Sequence, residues 1–150
     1  MDLPPSIRQT FRDQGRRGGL ERARRLAPAA RTRIARMAAI TRWTRTRFGG
    51  DRFGPLGLPG GALIDQGLED LAAGRESTES LAVSLAAPRL RREGVPVPAA
   101  TFPEADHRLY RQLEEQHGGL AHARYLAWLE QLTSFADACR YVRSSAIAHA

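Results

Sequence analysis

Guanidinium chemistry dominates what the side chains of this sequence could do. All 23 basic residues are arginine and none is lysine. A guanidinium presents five N–H donors in a planar fork that meets phosphate oxygens two at a time. Arg16, Arg17, Arg31, Arg33, Arg36, Arg42, Arg45 and Arg47 crowd into one stretch, RRGGLERARRLAPAARTRIARMAAITRWTRTR. A G+C-rich coding sequence explains arginine in place of lysine, but not where the charge sits. Residues 1–52 hold 14 arginines against four carboxylates, a formal +10, while residues 53–150 hold 9 against 12, a formal −3. That asymmetry predicts a polyanion-facing arm on a near-neutral body. The eight arginines named above are the expected contacts, and the expected polyanion is nucleic acid, DNA ahead of RNA. Such gripping supplies affinity and salt dependence but little sequence reading.

Other chemistry finds less to work with. Cys139 is the only cysteine, so no intramolecular disulfide can form, and a reducing cytoplasm is the expected compartment. No pair among His107, His117, His122 and Cys139 has the spacing that brings metal ligands together, so neither a metal nor a cofactor is expected. A cysteine nucleophile needs a histidine base, and His122 lies far along what reads as the same helix. The Gly54 and Gly57 spacings match neither phosphate-loop pattern. No catalytic residue is therefore expected. Arg111-x5-His117 and Arg143-x5-His149 resemble the R-x4-6-H motif of the helical HEPN ribonucleases. Composition alone yields about two such matches in a chain of this make-up, so the resemblance supports only a third function, a ribonuclease with Arg111 facing His117.

The elements that must position these groups follow from punctuation and period. Ser6, after Pro4-Pro5, predicts a short helix to about Gln14, interrupted by Gly15 and Gly18-Gly19, then a second piece from Leu20 to Leu26. Gly18-Gly19 would let the backbone approach a phosphate. Pro28 opens a long basic helix to Phe48, which Gly49-Gly50 stops. Ala30, Ile34, Met37, Thr41, Thr44 and Phe48 form its expected buried stripe. Arg31, Arg42 and Arg45 flank the stripe on one side; Arg33, Arg36 and Arg47 lie on the other, with Ile40 and Trp43 among them. The block from Gly15 to Trp43 resembles a pattern of short bacterial proteins, which implies a bacterial source and no particular mechanism. Residues 49–61, GGDRFGPLGLPGG, read as a flexible or irregular connector between an arm at 1–48 and a body at 62–150.

In the body, Leu63, Ile64, Leu68 and Leu71 share a helix face that Gly74 closes, with Glu69 and Asp70 expected on the solvent side. A helix opens near Ser77 or Thr78, buries Leu81, Leu85 and Ala86, and is kinked or ended by Pro88, with Leu90 continuing the face to Gly94. Arg89, Arg91 and Arg92 suit its C-terminus. Val95-Pro96-Val97-Pro98 must be extended. Thr101-x-x-Glu104 predicts a capping box for a helix with Leu109 and Leu113 inside. The last helix repeats Ala121, Tyr125, Trp128, Leu132, Phe135, Cys139, Val142 and Ala146 in a heptad-like seam. That seam is expected on its own chain; its alternative is a partner interface at Tyr125, Trp128, Leu132 and Phe135, for a second copy or another protein.

The expected fold is therefore an all-α small helical bundle with an Arg-rich N-terminal helical arm. No run approaches the ~20 apolar residues of a membrane span, and MDLPPSIRQT carries no secretory core. The leading function is non-enzymatic nucleic-acid binding, and the alternative is an antitoxin-like or regulatory interaction subunit.

Overall fold

The computed structural model describes residues 4–148 and is built from helices. They are α1 (Pro5–Arg25), α2 (Pro28–Phe48), α3 (Gly61–Ala73), α4 (Thr78–Arg92), α5 (Ala105–His117) and α6 (Ala121–Ala148), with a 3-10 turn at Gly118–Leu120. No strand occurs among the described residues. The chain is an all-α bundle in which α3 packs on α4, α4 on α5 and α5 on α6. α6 returns to α4, and α2 lies against both α3 and α6.

Leu63, Ile64, Leu68 and Leu71 point α3 inward, against Leu81, Val83 and Leu90 of α4 and Leu109 and Leu113 of α5. The close approach of α3 to α4 depends on Gly67, where a Cβ would collide with the Val83 side chain and the Glu79 carbonyl. Ser77 caps α4 reciprocally: its Oγ accepts from Ser80 N at 3.0 Å, and its own N–H donates to Ser80 Oγ at 2.7 Å. Pro88 does not end α4. Its ring is exposed, and Leu90, fully buried two residues on, holds the last turn against the core.

Five sequence expectations need correction. α1 is one helix, with Gly15, Gly18 and Gly19 inside it; glycine weakens a helix by about 1 kcal/mol relative to alanine but does not interrupt its hydrogen bonds. Its N-cap is Pro4, with no side-chain cap, and not Ser6. The stretch 49–61 takes the irregular form and not that of a free linker, because Phe53 is wholly buried and Leu58 packs on the core. Asp65 ties this loop to α3, accepting from Phe53 N at 3.0 Å and Gly54 N at 2.8 Å. The Thr101–Glu104 capping box does not form; Glu104 itself is the N-cap of α5, at φ 50°, and makes no side-chain cap.

Asp70 is the fifth. It is buried, and its carboxylate accepts from Ser77 Oγ at 2.7 Å, Arg75 Nη2 at 2.8 Å and Gln66 Nε2 at 3.1 Å. Burial alone would raise this carboxyl, but the hydrogen bonds from Ser77, Arg75 and Gln66 outweigh it and hold the group below its ordinary value. A depressed folded-state carboxyl stabilises the fold above the ordinary carboxylate range, and the contribution is lost as pH falls through the depressed value. Asp70→Asn is expected to lower the urea midpoint at neutral pH and to shrink the further loss on acidification to about pH 3. Phe53→Ala should cost about 3–5 kcal/mol of unfolding free energy in the same titration, with the helical CD signature retained at low urea.

Candidate nucleic-acid interface

α2 divides between two environments. Ile40 and Thr44 are buried, and Met37, Trp43 and Phe48 pack half-buried on the core. Thr44 Oγ1 donates to Ile40 O at 2.9 Å, so the buried hydroxyl is satisfied within its own helix. The C-terminal half of α2 is held by rings. Phe53 lies 6.2 Å from Trp43, 5.7 Å from Phe48 and 4.8 Å from Phe135, each edge-to-face. This rotates the buried stripe from the expected one. Ile40 and Trp43 turn inward while Ile34 stays exposed, because the ring cluster selects the face that α2 buries.

The opposite face of α2 carries Arg31, Thr32, Ala35, Ala38, Ala39, Arg42, Arg45 and Thr46, all exposed. No carboxylate occurs from Arg22 through Gly50. Among the expected contacts, Arg31, Arg42 and Arg45 lie on this outer face, and Arg16 and Arg17 are exposed on α1, which buries no residue. Arg33 is exposed beside Ala73 and Arg75. Arg36 is turned toward the body, where its Nη1 donates to Ala72 O at 3.5 Å near the C-terminus of α3. Arg47 borders a small cleft with Trp43, Phe48, Glu93, Cys139 and Arg143. The eight therefore do not form one surface.

Pairing divides the arginines in part: of the ten from Arg52 onward six meet carboxylates, while Arg91, Arg92, Arg111 and Arg124 have no ion-pair partner among the described residues. In the body, Arg52 meets Asp65 and Glu69, Arg75 meets Asp70, Arg89 meets Asp137 and Arg108 meets Glu76. Arg140 and Arg143 both meet the buried Glu93. By contrast Arg16, Arg17, Arg31, Arg33, Arg42 and Arg47 have no ion-pair partner among the described residues. Arg45 is the exception on the outer face: its Nε donates to Asp51 Oδ1 at 2.7 Å. That hydrogen bond holds the Asp51 carboxyl below its ordinary value and raises the Arg45 guanidinium.

The C-terminal seam is largely turned inward. Leu132 and Phe135 are buried by their own chain, and Tyr125 and Trp128 pack half-buried on the core. These four are therefore not an exposed partner face, because Phe135 anchors the ring cluster. An apolar groove lies between α4 and α6, lined by Leu85, Ala86, Leu90, Leu129, Leu132 and Ala136, and on α6 itself Leu126, Tyr141 and Ile147 are exposed. Leu129 lies off the heptad positions, which is why the repeat did not point to it.

The remaining reactive groups are dispersed. Cys139 is buried, and that burial, together with the negative Glu93, pushes its thiol up to about 12. A thiol so held is protonated and a poor nucleophile. Glu93 Oε1 accepts from Arg140 Nε at 3.3 Å; Arg143 Nη2 lies 3.1 Å from Oε2, within ion-pair reach but without hydrogen-bond geometry. Arg111 and His117 sit on the one helix α5, about 120° apart around its axis at 100° per residue. His149, of the second such motif, lies outside the described residues. Among the described residues no three His, Cys, Asp or Glu side chains gather as a metal set, and no helix is long and apolar enough to cross a membrane.

No protein-family model, curated protein or solved structure matches this chain. Cys139 is expected to resist iodoacetamide at mildly alkaline pH in the folded chain and to react in concentrated urea, read by mass spectrometry. Rapid alkylation of the folded chain would contradict the buried, protonated thiol.

Proposed function

We propose that the protein is a non-catalytic nucleic-acid-binding protein, acting on DNA ahead of RNA, that grips phosphates through α1 and the outer face of α2. One observation carries this reading: six of the ten arginines from Arg52 onward meet carboxylates of their own chain, whereas Arg16, Arg17, Arg31, Arg33, Arg42 and Arg47, concentrated on two helices, do not. Unpaired, exposed guanidiniums over an acid-free stretch attract a polyanion at long range and hold it by displacing its counterions. Arg36 contributes less, because its guanidinium is turned toward α3.

Binding to duplex DNA and to RNA measured across ~50–300 mM salt tests this directly, since log affinity should fall linearly with log salt by about 0.9 per phosphate neutralised. Arg31→Ala with Arg42→Ala should weaken binding and flatten that slope by about two contacts. Absence of binding at ~50 mM salt would end the nucleic-acid reading. Asp51→Asn should do the reverse, freeing Arg45 to add about one contact to the slope. Unchanged affinity in that variant would mean that Arg45 is not a contact.

A further inference from the structure

We infer that the outer face of α2 enters the major groove of duplex DNA, with the alanines at its centre against the base edges and Arg31 and Arg42 at its two ends. This rests on the nucleic-acid reading above and names the form of nucleic acid and the mode of contact. The argument is one of width, charge placement and exclusion.

An α-helix with side chains is about 10–12 Å across, and the B-DNA major groove, about 12 Å wide, admits one. The fit is tight, so the inserted face must be low. On α2 that face is Ala35, Ala38 and Ala39, all exposed and without a long side chain between them. Thr32 and Thr46 border it, and their hydroxyls already donate to Pro28 O and Arg42 O, leaving their methyl groups outward. Alanine and threonine methyls are the groups that contact the thymine methyl in this groove.

Arg31 and Arg42 are eleven residues apart, which places them within about 20° of one line and about 16 Å apart along the axis. They bracket the alanines and can reach groove-wall phosphates or the O6 and N7 of a guanine. With no carboxylate from Arg22 to Gly50, nothing on the helix repels either wall. The N-terminal half of α2 is exposed at Ala29, Arg31, Thr32, Arg33, Ile34 and Ala35, so the body does not block entry.

The competing nucleic acids fit less well. Duplex RNA has a deep, narrow major groove that side chains do not read. Single strands are held by stacking their bases on exposed aromatic rings. Both rings of α2, Trp43 and Phe48, are instead packed in the cluster around Phe53, which leaves Phe11 of α1 as the single exposed ring on the two helices and not a row of stacking platforms.

The test compares duplex DNA, duplex RNA of the same sequence and single-stranded DNA at one salt concentration, with dimethyl sulfate footprinting on the duplex DNA. Guanine N7, in the major groove, should be protected and adenine N3, in the minor groove, should not, with duplex DNA preferred over duplex RNA by about tenfold. Ala38→Leu adds bulk without charge at an exposed position that leucine suits as a helix former. It should weaken duplex DNA binding several-fold while leaving inorganic polyphosphate binding and the salt slope unchanged, and Ala35→Leu should do the same. If N7 is unprotected, duplex RNA binds equally well and both leucine variants bind like the parent, α2 lies along the phosphates outside the groove. The inference then falls while the nucleic-acid reading stands. If no nucleic acid binds at all, both fall.

Discussion

The edge-to-face packing of Phe53 against Phe135, at 4.8 Å between ring centres, is the contact on which the arrangement of this molecule depends. Phe53 lies in the loop between α2 and α3, is fully buried, and also touches Trp43 and Phe48. One ring thus joins α2, the loop and α6. Aromatic side chains bury some 150–250 Å² each, so a four-ring cluster is a large share of the core of so small a domain. Asp65 holds the loop in register by accepting both the Phe53 and Gly54 amides. The cluster fixes the rotation of α2 about its own axis, and that rotation decides which arginines face outward.

Charge is sorted along the same division. Carboxylates of the body are placed where its arginines can meet them, in exposed pairs such as Arg89–Asp137 and at the buried Glu93. Exposed pairs add little stability, but they do cancel local charge. α1 and the outer face of α2 have less of that cancellation, through Arg25–Glu21 and Arg45–Asp51, so much of the net positive charge of the chain appears as a local surface. α1 itself buries nothing, so its helix rests on local bonds alone.

Much of the fold was legible from punctuation. Pro28, Gly49 and Gly74 marked helix ends that are present, and the heptad-like repeat of α6 correctly placed Leu132, Phe135 and Cys139 inside. What failed did so for identifiable reasons. Gly15, Gly18 and Gly19 read as breaks because local preference was weighed without the continuous hydrogen-bond ladder around them. Phe53 was hidden in a run of glycines and prolines whose composition signals flexibility, although a single aromatic can anchor such a loop. Asp70 reads as solvent-facing because helical periodicity ranks residues by their own polarity and does not register Arg75 and Ser77 arriving from the following loop. At the candidate site the excess of arginine was visible in the chain, but which guanidiniums are free depended on carboxylates far away in sequence.

α2 serves two purposes through residues that interleave along a single helix without sharing positions. Ile40 and Thr44 belong to the core, whereas Arg31, Ala35, Ala38 and Arg42 touch nothing that the core requires. The outer positions can therefore change in identity while the inner ones stay constant. The preference of the surface for its ligand can drift, or be redesigned, on a scaffold whose folding is not disturbed by the exchange.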